Sequence, residues 1–314
     1  MQNRLAVGVD IGGTKVAFVL IDEQGSVLAQ HQLLTNAEDG SEVVLDRISE
    51  GIQVMLTHAG RPVAGIGIGS PGYIDCDIGI VHAAVNLGWV DVPLCAALRQ
   101  RLALDIPILL QKDTNAALLG EMYFGAARGY KDVVLIAIGT GLGVGAVVGG
   151  QIIMGANNYA TDIGHLALNP AGRLCGCGLH GCIEMYVSGN GILAGVREHQ
   201  PDYPQSPLAH IDSLTTTAIL HAAHEGDALA HVVLDEAADW LGMLFTYCGV
   251  MLNPALFVVG GGLGLAAADL LLDRAEHVFR QRVLPPISQS VRIVQSQVTV
   301  SAIGAACLVW NALQ

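Results

Sequence analysis

The chain opens on an apolar run, Leu5 to Asp10, broken by the turn Ile11-Gly12-Gly13-Thr14-Lys15. Val16 to Ile21 is apolar again, Asp22-Glu23-Gln24-Gly25 turns the chain, and Val27 to Leu33 follows. Short apolar runs between glycine and acid turns predict a three-stranded meander. From Ser41 to His58 the period changes. Val44, Leu45, Ile48, Ile52, Met55 and Leu56 recur at helical spacing, with Ser41 placed to cap. Val63 to Ile68 reads as a buried strand ended by Gly69-Ser70-Pro71-Gly72, and Tyr73 to Val81 as a small hairpin. Pro93 to Leu102 reads as a helix, Ile106 to Leu110 as a strand, and Asp113 opens a helix to about Phe124.

Then the pattern restarts. Val133 to Ile138 and Val144 to Val148 read as strands around a glycine turn. Val9-Asp10-Ile11-Gly12-Gly13-Thr14 is echoed by Ala137-Ile138-Gly139-Thr140-Gly141, a weak internal repeat. Helices are expected near 185–199, 215–224, 228–250 and 265–280, and a last one near 303–313. Strands are expected at Leu256 to Val259, directly before Gly260-Gly261-Gly262, and near 291–300. Two related α/β halves imply a ligand cleft between them.

Composition narrows the class. Of 314 residues, 52% are hydrophobic and 14% charged, enough apolar material for a large core. A net charge of −13 with only 15 Lys and Arg argues against a nucleic-acid partner, which needs cations for its phosphates. It leaves open a phosphorylated ligand held by backbone N–H groups. Val133 to Thr161 carries no charge and exceeds the roughly 18-residue span of a bilayer helix. Its closely spaced glycines read instead as buried strands and turns, so no membrane insertion is expected. No apolar signal region precedes the first strand. Cys76, Cys95, Cys248 and Cys307 are scattered among apolar neighbours, which suggests a reducing, cytoplasmic setting.

The chemistry concentrates between His165 and Glu184. Cys175, Cys177 and Cys182 lie within eight residues, separated by glycines, with His165 upstream. A Cys₃His set is a closed tetrahedral zinc site. Such a site assembles only on folding, and in small isolated domains zinc contributes about 10 kcal/mol. The metal would pin the loop carrying Asp162, His165 and Glu184.

Asp10-Ile11-Gly12-Gly13-Thr14-Lys15 and Gly139-Thr140-Gly141 place glycines where a backbone can approach a polyphosphate from two sides. Neither has the spacing of a P-loop. Gly260-Gly261-Gly262 is either a tight strand-to-helix turn or a nucleoside contact. Asp113, at the end of a buried strand, is either a general base for a substrate hydroxyl or a helix N-cap.

Taken together, Asp10-Ile-Gly-Gly-Thr-Lys15, Ser70-Pro-Gly72, Asp113-Thr-Asn115 through Gly120-Glu121, Ile138-Gly-Thr-Gly141, Gly164-His165, Cys175-Gly-Cys-Gly-Leu-His-Gly-Cys182-Ile-Glu184 and Val259-Gly-Gly-Gly262 resemble the ROK family of repressors, open reading frames and sugar kinases. The resemblance spans essentially the whole chain. It implies an α/β, actin-like ATPase (ribonuclease H-like) fold, with two lobes and a duplicated meander core. The expected lobes are 1–115 joined by the C-terminal helix 301–314, and 116–300. It implies an ATP-dependent hexose kinase, with Asp113 as the base, Mg²⁺ accompanying ATP, and phosphorylation at the sugar 6-OH. ATP contacts are implied at Gly12, Gly13, Thr14 and Lys15, at Gly139, Thr140 and Gly141, and at Gly261 and Gly262. Sugar contacts are implied at Gly72, Asn86, Lys112, Asp113, Asp162, His165 and Glu184. Zinc is implied on His165, Cys175, Cys177 and Cys182, and a homodimer is implied as the assembly.

Two positions depart from the family pattern. Lys112 stands where Asn is usual before the base, and Lys only donates where Asn both donates and accepts. Asp162 replaces Glu, which retracts its carboxylate by about 1.5 Å, one C–C bond. Both changes lie among sugar-side positions and point to altered sugar specificity. They also keep open a catalytically silent sugar-binding or regulatory relative. Repressors of the family carry an N-terminal helix-turn-helix; with the first glycine turn starting at Asp10, none is expected here. A Rossmann oxidoreductase fails on context, because the residues after Gly141-Leu-Gly143-Val-Gly-Ala146 do not start a helix.

Overall fold

The computed structural model describes residues 3–313. The chain divides into two compact units. The first holds the residues up to Gly129, Ile152–Ala160 and the chain from Gln297 onward, and the second holds Tyr130–Gln151 and Thr161–Ser296.

In the first unit β1 (Leu5–Ile11), β2 (Lys15–Asp22) and β3 (Val27–Leu34) form the expected antiparallel meander. Helix α1 (Ser41–Ala59) leads to β4 (Gly65–Ser70). A small sheet follows, made of β5 (Tyr73–Asp75), β6 (Ile80–Ala84) and β7 (Trp89–Val92). The sequence pattern did not announce β7, which forms by pairing Val92 with Val81 and burying Trp89. Helix α2 (Leu94–Leu102), β8 (Ile108–Lys112) and α3 (Asp113–Phe124) complete the run. The main sheet has the order β3-β2-β1-β4-β8, with β1, β4 and β8 parallel.

One face of that sheet is covered by α1, whose Val44, Leu45, Ile48, Ile52 and Met55 are buried with Phe18. The other face is covered by the C-terminal helix, Ala302–Ala312. That helix sits directly on the strands because Gly8 and Gly67 carry no side chain. A methyl group at either would overlap a carbonyl oxygen of the helix, Ala302 O or Ala305 O. Gly120 of α3 likewise meets Gly304, with room for nothing larger.

The first unit therefore runs past the expected break at 115 and keeps all of α3, which packs on the C-terminal helix. Glu121, fully buried, fastens this arrangement. Its carboxylate accepts from Ala126 N at 2.7 Å, Gln297 N at 3.1 Å and Val298 N at 2.9 Å. Gln314, the end of the expected first-lobe segment, lies outside the described residues.

The second unit repeats the design. β9 (Val133–Ile138), β10 (Leu142–Val148) and β11 (Gln151–Ile152) precede α4 (Glu184–Val187), α5 (Gly189–His199), α6 (Thr216–His224) and α7 (Ala228–Leu252). β12 (Leu256–Gly260), α8 (Gly262–Ala266), α9 (Ala268–Arg282), α10 (Pro285–Ser290) and β13 (Arg292–Gln295) follow. The order β11-β10-β9-β12-β13 reproduces the first sheet: antiparallel hairpin strands, then parallel partners.

The helix expected over 185–199 is broken at Ser188, whose hydroxyl accepts from Gly191 N and caps α5. The strand expected over 291–300 stops at Gln295; Ser296 N still donates to Val259 O at 2.8 Å, and the N–H groups of Gln297 and Val298 go to Glu121. The uncharged stretch Val133 to Thr161 resolves into β9, β10 and β11. Among the described residues no helix is long and apolar enough to cross a membrane.

Candidate active site

In the first unit the site is built at the C-terminal edge of the parallel strands, where open α/β sheets present ligand-binding groups. β1 ends near Asp10, β4 at Gly69-Ser70 and β8 at Lys112. A methyl at Gly69 would stand 3.5 Å from Asp113 Cα and 3.6 Å from Asp10 Oδ1. Asp10 and Asp113 thus flank one bare backbone position. Burial pushes the Asp10 carboxyl above its ordinary value, against the pull of the Ser301 hydroxyl and the Lys15 ammonium. A carboxylate so perturbed at a strand end is a candidate functional group.

Asp113 is the first residue of α3, and its Oδ1 accepts from Thr114 N at 2.6 Å. Its side chain thus bonds the first turn of α3, and its Cα lies against Gly69. Behind it, Gln111 accepts from Lys112 N at 2.8 Å and from Asn115 Nδ2 at 3.2 Å, which ties the strand end to the first helical turn.

The first glycine turn is held in shape from outside. Gly12 N donates to Lys15 O at 2.9 Å, Thr35 N to Thr14 O at 2.9 Å, and Thr35 Oγ1 to Gly12 O at 2.6 Å. Thr14 and Lys15 are exposed. Asn86 lies against this turn, since a methyl at Gly13 would be 3.2 Å from Asn86 Cβ. Gly72, with φ +96°, packs on β6 where any side chain would overlap Ala83 O.

The second unit carries the other glycine turns. Gly139 N donates to Gly141 O at 3.0 Å, closing the turn between β9 and β10. Gly260 pairs with Ala137, so Gly261 meets the backbone of Ile138 immediately before that turn. Only glycine fits there, both for φ +82° and for space. The turns at 139–141 and 260–262 therefore sit side by side at adjacent parallel strand ends. Glu184 reaches the first of them, accepting from Leu142 N at 2.9 Å.

The cysteine loop forms one cluster with His165. Donor atoms of His165, Cys175, Cys177 and Cys182 all lie within 4.8 Å of one another. Cys177 Sγ and Cys182 Sγ are 3.6 Å apart, and Cys175 Sγ is 3.6 Å from His165 Nδ1. Thiolates on a tetrahedral zinc with bonds near 2.3 Å stand roughly 3.7 Å apart, so the set fits. Four protein donors fill the shell of such a metal, which makes it a structural one. Among the described residues all seven cysteines are free.

Of the predicted positions, Gly12 to Lys15, Gly72, Asn86, Lys112 and Asp113 lie in the first unit. Gly139 to Gly141, Asp162, His165, Glu184, Gly261 and Gly262 lie in the second. Asp162 opens the short turn Ile163–His165, with His165 N bonded to its carbonyl at 3.2 Å. Two supporting residues escaped the sequence. Thr35 has no motif around it. Arg173 is a basic residue inside the cysteine loop, and that is the only signal it gave.

The ROK family profile matches residues 6–312. The chain belongs to the ROK family. The glucokinase of Halalkalibacterium halodurans is 36% identical over 296 residues, covering 92% of this chain and 89% of that one. A crystal structure of a ROK family glucokinase from Streptomyces griseus in complex with glucose and AMPPNP is 32% identical, with a TM-score of 0.84 over 97% of this chain and 98% of that one. A ROK family transcriptional regulator, described as a homologue of the Escherichia coli Mlc protein, is 26% identical. Its TM-score is 0.87, over 99% of this chain and 78% of that one. This ROK chain thus has the actin-like ATPase fold of the family, a fold shared by kinases and a regulator.

Proposed function

We propose that this protein transfers the γ-phosphate of ATP to a hexose hydroxyl, the 6-OH, with Asp113 as general base. The coarser statement is firm: the glucokinase relatives and ROK kinase structures make it an ATP-dependent carbohydrate kinase. The observation that supports the finer reading is the meeting of Asp10, Gly69 and the Asp113 backbone at adjoining strand ends, with Asp10 two residues before Gly12. A carboxylate next to a phosphate-binding turn can take the proton of an attacking alcohol.

In this reading Gly12, Gly13, Thr14 and Lys15 hold ATP phosphates through backbone N–H groups, a hydroxyl and an ammonium. Gly139, Thr140 and Gly141 bind phosphate as well, and Gly261 and Gly262 the adenosine. Mg²⁺ arrives with ATP and neutralises charge on the transferring group. Gly72, Asn86, Lys112, Asp162, His165 and Glu184 orient the sugar. His165, Cys175, Cys177 and Cys182 would hold zinc, which shapes the loop. The free cysteines support a reducing, cytoplasmic setting, and a homodimer belongs to the same reading.

The test is ADP release from MgATP with a panel of aldohexoses, ketohexoses and N-acetylhexosamines. Turnover of at least one hexose is expected. Folded, zinc-loaded protein that turns over none but binds one supports the silent, regulatory alternative that Lys112 and Asp162 keep open.

A further inference from the structure

We propose that Glu184 is a positioning residue for the second glycine turn. Its carboxylate, carried by the cysteine loop, fixes the backbone that receives the nucleotide's phosphates. The inference rests on the kinase reading and adds to the sugar contact proposed for this residue.

Three backbone groups at the edge of the turn bond to one short segment. Leu142 N donates to Glu184 Oε2 at 2.9 Å. Gly189 N donates to Gly139 O at 2.8 Å, and Asn190 N to Thr140 O at 3.1 Å. Residues 184–190 therefore hold the turn on both sides. The fit is close. A methyl at Gly141 would lie 2.7 Å from Glu184 Oε2, and one at Gly189 3.1 Å from Gly139 O. Gly164, next to His165, presses bare backbone against Leu142 O.

The same segment is anchored to the cysteine cluster. Glu184 follows Cys182 by two residues, and its other oxygen, Oε1, lies 3.7 Å from Cys175 Sγ. One carboxylate thus spans cluster and turn. Arg173, nearly buried, clamps the loop onto the helices behind. It donates to Met185 O at 3.0 Å and pairs with Glu198 at 2.7 Å and Glu236 at 2.6 Å. Its guanidinium also lies over the Tyr186 ring at 4.6 Å. A phosphate-binding turn works by preorganised N–H groups, so whatever fixes its backbone tunes nucleotide affinity.

The test is calorimetric binding of MgAMPPNP without sugar, on full-length zinc-loaded protein. Amide exchange of the peptide spanning 139–148 is measured beside it. Glu184→Ala should weaken AMPPNP about tenfold and speed exchange at Leu142, the loss expected for one charge-assisted hydrogen bond. Glu184→Gln, which retains an acceptor oxygen, should stay within about threefold of the parent. Glu184→Asp, which keeps the charge but withdraws the oxygen, should behave like Ala and covers the case of a poorly folded Ala variant. Parent-like affinity and exchange in the Ala and Asp variants, with only hexose binding lost, overturns the inference and leaves the kinase reading intact. Equal weakening in Gln and Ala with unchanged exchange also overturns it. A parent protein that neither binds AMPPNP nor turns over a hexose sinks the kinase reading and this inference with it.

Discussion

Replacing Asp113 with Asn removes a proton acceptor while keeping the shape of the side chain. Asp113 starts α3, and its Oδ1 accepts from Thr114 N at 2.6 Å. An Asn keeps an amide oxygen at that place, so the bond from Thr114 N is retained. Asp113→Asn should therefore leave folding stability within about 0.5 kcal/mol of the parent. Asp113→Ala loses the acceptor as well and should cost about 1 kcal/mol, the worth of one hydrogen bond. On turnover the two variants should agree. Loss of general-base help lowers kcat by about 10²–10⁴, or roughly 3–5 kcal/mol of transition-state stabilisation. The assay is ADP release at saturating hexose and MgATP, with urea-unfolding midpoints on the same samples. An Asn variant within about threefold of the parent kcat refutes Asp113 as the base, since less than 1 kcal/mol would then be at stake. A drop that only tracks the unfolded fraction would assign Asp113 to the helix alone.

Gly67→Ala drives a methyl into Ala305 O and should destabilise the first unit by about 3 kcal/mol or prevent folding; an unchanged unfolding midpoint would contradict the packing described. Protein purified without chelators should contain about one zinc per chain, and stripping it should lower the midpoint; metal content near zero refutes the Cys₃His set. Asp10 carries a sign that can be checked against pH. Its folded carboxyl is held above its ordinary value, so the folded chain binds that proton more tightly and this group's cost grows as pH rises. Asp10→Asn should be more stable than the parent near pH 7, with the gain shrinking toward about pH 4; equal midpoints across that range would show that its burial carries no penalty.

Local chemistry in the chain was enough for the element types, the repeated meander and the Cys₃His cluster. Apolar period separates helix from strand, and glycine spacing marks turns, so α1, β1 and β9 were readable within a residue or two. The cluster was readable because His165, Cys175, Cys177 and Cys182 sit close in sequence and their donor atoms converge in the fold. Contacts between distant segments left no such trace. Thr35 holds Gly12 across 23 positions, Glu184 holds Leu142 across 42, and Glu121 holds Gln297 across 176. Each joins a common residue type to a backbone group that every residue carries, and neither partner's neighbours encode the other. Only the folded sheet order brings those ends together. The break of the first unit at 129 rather than 115 has the same origin, because the glycines of α3 and the C-terminal helix recognise each other by fit alone.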